Sequence, residues 1–147
     1  MLVCSTFKDL KEERLAVRDV ITDLANNGYN IQWECMEGFG SYASSPLRIS
    51  QESVEDADFV ILLVADYYGT VPPDEQYSIT YSEYDIIRRD KIPCLVYLAD
   101  QQAVHQDPRV EEFRKMILQQ QELTVSTYVD KDDLARRVLV RWNTHQI

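Results

Sequence analysis

Short apolar runs alternate with segments of helical periodicity from one end of this 147-residue chain to the other. The runs predict strands over about 2–5, 30–35, 58–65, 92–98 and 122–127, and the periodic segments predict helices over 8–27, 46–56, 80–90, 108–120 and 130–143. Leu10, Val17, Ile21 and Leu24 mark one face of the first helix before Asn27-Gly28 stops it. At its start, Thr6 with Asp9 fits an S/T-x-x-acid cap, and Glu12 and Glu13 add negative charge to the first turns. Asp107-Pro108 gives the fourth helix a cap and a first-turn proline ahead of Val110, Phe113 and Ile117. Asp130 and Asp133 open the fifth, which carries Leu134, Val138 and Trp142.

Five consecutive βα units in one small chain require a parallel sheet with helices on both faces. The expectation is an α/β, flavodoxin-like domain over 1–147, with five strands in the order 2-1-3-4-5. Phe59-Val60-Ile61-Leu62-Leu63-Val64 shows no polar alternation, which predicts a central strand covered on both sides. In such a sheet the ligand crevice lies at the carboxyl ends of the strands, near the switch point between strands 1 and 3.

Charge narrows the partners. Fifteen Lys plus Arg against 25 Asp plus Glu give a formal charge of −10, a field that repels nucleic-acid backbones and anionic membrane surfaces. A phosphate-bearing ligand must therefore find local donors. The longest apolar run, Phe59 to Ala65, falls short of a membrane span, and no basic, apolar leader precedes Lys8, so the expected location is cytoplasmic. Cys4, Cys35 and Cys94 are odd in number and form no C-x-x-C pair, which suits buried thiols in a reducing compartment. His105 and His145 have no carboxylate or thiol at ligand spacing, and no metal site is expected.

Three loops should converge on the crevice: Ser5-Thr6-Phe7, the polar loop from Glu37 to Pro46, and the stretch from Asp66-Tyr67-Tyr68-Gly69-Thr70 through Ser78-Ile79-Thr80-Tyr81-Ser82-Glu83. Gly38 and Gly40 make the second of these hinge-capable. The Glu83 carboxylate has two readings: it points into the pocket, or it turns back to the Thr80 N–H as the last member of a Thr80-x-x-Glu83 capping box.

S-T-F-K-D-L-K-E-E-R at 5–14, Glu55-Asp56-Ala57-Asp58-Phe59-Val60, Tyr68-Gly69, Ser78-x-Thr80-x-x-Glu83-Tyr84 and Ile92-Pro93 occur in that order. Together they resemble a TIR-like domain family of largely uncharacterised function, over about residues 2 to 128. Its members are similar to TIR domains and to nucleoside deoxyribosyltransferases, in which a glutamate on the helix after the third strand works on an N-glycosidic bond. The resemblance places that role on Glu83 and implies an enzyme that cleaves NAD as substrate, hydrolysing or cyclising it with release of nicotinamide, with no cofactor. Nicotinamide leaves NAD as a neutral molecule, so one carboxylate that stabilises an oxocarbenium-like ribose suffices, unlike the carboxylate pair of O-glycosidases.

The ligand-binding set that follows is Ser5, Thr6, Phe7, Glu37, Arg48, Asp66, Tyr68, Gly69, Ser78 and Thr80. Phe7, Tyr67 and Tyr68 would stack on a base, or else pack between strand ends and helices. Ser5 and Thr6 would donate to ribose or phosphate, or else cap a helix, and Arg48 would answer a pyrophosphate, or else sit on a helix surface. Glu83 stands in S-E-Y where many active TIR domains carry W-C-x-x-E, and Met1 begins directly on the first strand, which fits an excised domain or an edge completed by a neighbour. The resemblance also implies self-association and a setting in immune, antiviral or stress signalling. Two other functions compete: a non-catalytic interaction module docking through the 37–46 loop, and base exchange on a deoxynucleoside.

Overall fold

The computed structural model of the chain describes residues 2–4, 10–31, 46–65, 68, 71–100, 107–119 and 123–145. In chain order the elements are β1 (Leu2–Cys4), α1 (Lys11–Asn26), α2 (Pro46–Asp56), β2 (Val60–Val64), α3 (Ile79–Asp90), β3 (Cys94–Ala99), α4 (Pro108–Gln119), β4 (Thr124–Tyr128) and α5 (Lys131–His145). The strands form one parallel sheet in the order β1-β2-β3-β4, with Leu2 opposite Val60, Val60 opposite Cys94 and Leu95 opposite Thr124. The predicted strand over 30–35 lies, from residue 32 onward, outside the described residues, and Asn30 and Ile31 belong to no strand.

The uninterrupted apolar run of β2 is buried throughout, between β1 and β3, as a strand covered on both faces must be. Its side chains alternate between two cores. Val60, Leu62 and Val64 pack with Val54 of α2, Tyr84 and Ile87 of α3, and Val110 and Phe113 of α4. Ile61 and Leu63 pack on the other face with Val17 and Ile21 of α1 and Leu134 and Val138 of α5. On the first face α2 lies against α3, and on the second α1 lies against α5. β4 is half-solvated, with a buried Tyr128 at its end, as suits an edge strand.

The helix ends follow local chemistry. Past α1, Tyr29 N–H donates to the Leu24 carbonyl at 3.1 Å and Gly28 N–H to Ala25 at 3.2 Å, a Schellman closure that needs the positive φ of 97° at Gly28. Thr6 and Asp9, the expected cap of this helix, lie outside the described residues. Its N-cap is Leu10, which has no side-chain acceptor and is buried at 2% exposure as the first residue of the apolar face. The Asp107 carboxylate accepts from Arg109 N–H at 3.0 Å, ahead of Pro108 at the first helical position of α4.

α5 opens on a reciprocal pair: Asp130 accepts from Asp133 N–H at 2.8 Å, and Asp133 accepts from Val129 N–H at 2.9 Å. The Val129 amide, with Arg137 and Arg136, lowers the Asp133 carboxyl from its ordinary 3.8 to about 2. Because the folded-state value is the depressed one, the stability this carboxylate contributes is full above pH 3.8 and is lost as the pH falls to about 2. Asp130→Ala is expected to cost about 1 kcal/mol in urea unfolding. Asp133→Asn is expected to be less stable at neutral pH and to flatten the acid limb of the stability curve, read by unfolding midpoints between pH 5 and pH 2.

Cys94 is buried, and that burial pushes its thiol up to about 12, which keeps it protonated and inert at neutral pH. Cys35 and the Cys4 side chain lie outside the described residues. No described helix is long and apolar enough to cross a membrane.

Candidate functional site

The direction of the parallel strands puts the start of each following helix at their carboxyl ends. Five polar or charged residues are buried among the described ones, and three of them, Ser78, Thr80 and Glu83, occupy the start of α3. The other two are Arg14, in the first turns of α1, and Ser50, on α2. Glu83, exposed to 4%, is the one buried carboxylate among the described residues.

Its position in the helix excludes one of the two sequence readings, the capping box. The N-cap of α3 is Ser78, with extended backbone at φ −68° and ψ 162°, and its hydroxyl accepts from Tyr81 N–H at 3.1 Å. Ile79 is therefore the first helical residue, Thr80 the second and Glu83 the fifth. A capping box requires its acid at the third helical position, so Thr80 and Glu83 do not form one. The correction is a two-residue shift of the helix start, from Thr80 to Ser78.

Behind α3 stands a wall of rings. Phe113 of α4 lies 5.4 Å from Tyr84 and 5.3 Å from Tyr81, centroid to centroid, and 6.4 Å from Tyr68. Tyr77 stacks on Tyr81 at 4.2 Å, and the Tyr81 hydroxyl reaches the Met116 sulfur at 3.7 Å. Burial raises the phenols of Tyr81 and Tyr84 above their ordinary value, so both are neutral and act by packing. Gln51 of α2 donates to the Ser82 hydroxyl at 3.0 Å and ties α2 to the turn that carries Glu83.

Tyr68 belongs to this wall. It is buried to 6% exposure, meets Phe113 edge-on, and has the Arg109 guanidinium 4.7 Å above its ring, so the protein itself supplies its stacking partner. Arg48 lies on the surface of α2 with its guanidinium 2.9 Å from Glu52, the neighbour that a four-residue spacing provides. Of the predicted set, the structure brings Tyr68, Ser78, Thr80 and Glu83 together around the start of α3. Ser5, Thr6, Phe7, Glu37, Asp66 and Gly69 lie outside the described residues.

Arg14 and Ser50 had no assigned role in the sequence, although a signal existed for each. Arg14 sits on the Leu10, Val17, Ile21, Leu24 stripe, and Ser50 precedes Val54 by four on the buried side of α2, so both are polar residues at apolar positions. The Ser50 hydroxyl is buried without a hydrogen-bond partner among the described residues. Arg14 and Glu83 are the charged side chains buried among the described residues, one in the first turns of α1 and the other in those of α3, on opposite faces of the sheet. Among the described residues no group of three His, Cys, Asp or Glu could hold a metal ion.

The family model described as "Domain of unknown function (DUF4062)" matches residues 2–143. No curated protein matches the sequence. Among solved structures, the chain is similar to the Clostridium botulinum CMP N-glycosidase BcmB, with a TM-score of 0.52 and 12% identity over 96% of this chain and 99% of that one. At that identity the likeness is one of fold.

Proposed function

From the premise that the chain belongs to the DUF4062 family, whose description assigns no activity, we propose that it is an enzyme cleaving the N-glycosidic bond of a nucleotide, with Glu83 as the carboxylate that faces the sugar. The observation that carries the proposal is a carboxylate buried to 4% exposure at the carboxyl end of a parallel sheet, at a helical position where it does not serve as a cap. The fold likeness to a CMP N-glycosidase supports the same class of reaction.

NAD is the proposed substrate. In NAD the C1′–N bond breaks with both electrons going to a pyridinium nitrogen, so nicotinamide departs neutral and no acid is needed. The ribose carbon becomes oxocarbenium-like, the Glu83 carboxylate stabilises that charge, and water or an internal nucleophile completes the reaction after giving up a proton. Cytosine leaving CMP needs a proton on the base whereas nicotinamide does not, which favours NAD for chemistry that asks one carboxylate, Glu83, only to stabilise the sugar cation. The sheet is proposed to be flavodoxin-like with five strands, and activity is proposed to rise when copies self-associate.

The experiment is base release measured by chromatography after incubating the purified chain with NAD, and separately with CMP and a deoxynucleoside plus acceptor base, both dilute and clustered on beads. Nicotinamide release from NAD is the expected result. Cytosine release alone would move the substrate to CMP, sugar transfer to the added base would make it an exchange enzyme, and no release from any of them would overturn the enzymatic reading.

A further inference from the structure

At the opposite end of the sheet from Glu83 is a cavity of about 680 Å³, within the range of small-ligand pockets. Its floor is apolar, built by Phe59 just ahead of β2, Leu95 of β3 and Leu123 just ahead of β4, and its charged groups are Arg88, Lys91 and Arg141. Among the described residues no acidic side chain lines it, in a chain whose formal charge is −10.

The ion pairs of the molecule make this grouping unusual. Arg18, Arg48, Arg89, Arg109, Arg136 and Arg137 each have a carboxylate partner. Arg88 and Arg141 have none among the described residues, and both line this one cavity. The Nε atoms of both are buried without a hydrogen-bond partner there. The contacts they do make leave most of their donors open: Arg88 lies 5.7 Å from the Tyr84 ring centroid, and one Arg141 Nη reaches the Thr124 hydroxyl at 3.4 Å. The acids nearest in sequence to Arg88 are engaged elsewhere, since Glu55 and Asp90 both pair with Arg89. A buried guanidinium N–H left unpaired is costly, and the lining of this cavity carries two of them. The carbonyls at the end of α3 offset part of the charge on Arg88 and Lys91, but they do not give the two Nε protons an acceptor.

We propose that this cavity binds a small organic oxyanion: an apolar or aromatic body seated on the Phe59, Leu95 and Leu123 floor, with its anionic head between Arg88 and Arg141 and Lys91 at the rim. Phosphate esters and carboxylates share that chemistry. The site is separate from the Glu83 site, so an effector held here would act on the sheet from its amino-terminal side.

Calorimetric titration of the purified chain tests this with phenyl phosphate, benzoate, inorganic phosphate and the neutral benzyl alcohol. Binding of phenyl phosphate or benzoate, with benzyl alcohol at least tenfold weaker, is expected, and which of the two binds identifies the head group. Arg88→Gln and Arg141→Gln should each weaken binding about tenfold or more, while Arg18→Gln and Glu83→Gln leave it unchanged. Circular dichroism confirms that each variant is folded. The proposal is overturned if neither aromatic anion binds at millimolar concentration, if benzyl alcohol binds as well as they do, or if the folded Arg88→Gln/Arg141→Gln double variant binds them like the wild type.

Discussion

Glu83→Gln is expected to lower nucleotide base release by about 10²–10³-fold, the loss typical of removing one preorganised electrostatic group from a site. Glutamine keeps the volume and most of the hydrogen-bonding capacity of a side chain that is 4% exposed, so the fold has no cavity to absorb. What disappears is the negative charge, and in a buried site a charge is worth far more to a developing oxocarbenium ion than it is in water. Asp85→Asn is the matched control, an exposed carboxylate two residues further along the same helix, and it should retain the wild-type rate. Chromatographic release assays on the three proteins, with thermal melts to show comparable folding, decide the matter. Equal rates in wild type and Glu83→Gln would remove Glu83 from the reaction and leave the chain's acidic surface and the 37–46 loop as its functional features.

That experiment is needed because the sequence left this residue's role open for a physical reason. Ser78 and Thr80 are both good N-cap residues, and each has a helix-favouring run after it, so pattern alone does not say which hydroxyl accepts the first N–H. The two-residue difference moves Glu83 from a capping position to a buried one. Tyr68 is a similar case: an aromatic ring after a strand reads equally as a ligand platform or as core, and only the packing of Phe113 and Arg109 around it settles which. By contrast, the stop at Asn27-Gly28, the bounds of α2 at Pro46–Asp56 and the two-sided burial of β2 were legible, because each rests on a local rule or an unbroken apolar run. The cavity at the other end had no sequence signature, since Phe59, Leu95 and Arg141 come together only when three distant segments are assembled.

Phe113→Ala is expected to destabilise the chain by about 3–5 kcal/mol, the range for truncating a buried aromatic side chain. Against a total that for domains of this kind runs at about 5–15 kcal/mol, that is a large share. The size follows from where the ring sits: 3% exposed, tilted 45° against Tyr81, and edge-on to both Tyr84 and Tyr68, so its loss removes contacts to three rings at once. Phe113→Leu keeps most of the apolar volume and should cost less than about 1.5 kcal/mol. Tyr84→Phe should be close to neutral, because the Tyr84 hydroxyl is buried without a hydrogen-bond partner among the described residues and its removal sacrifices no bond there. Urea midpoints at constant slope measure all three. The consequence reaches the site through α3: Tyr81 and Tyr84 flank Glu83 along that helix, so the ring that fixes them also fixes the turn carrying the carboxylate. Phe113→Ala should therefore lose base release even under conditions where it remains folded, whereas Phe113→Leu should keep it. A cost below about 1 kcal/mol for the alanine variant would mean that the wall is loosely packed and does not hold Glu83 in place.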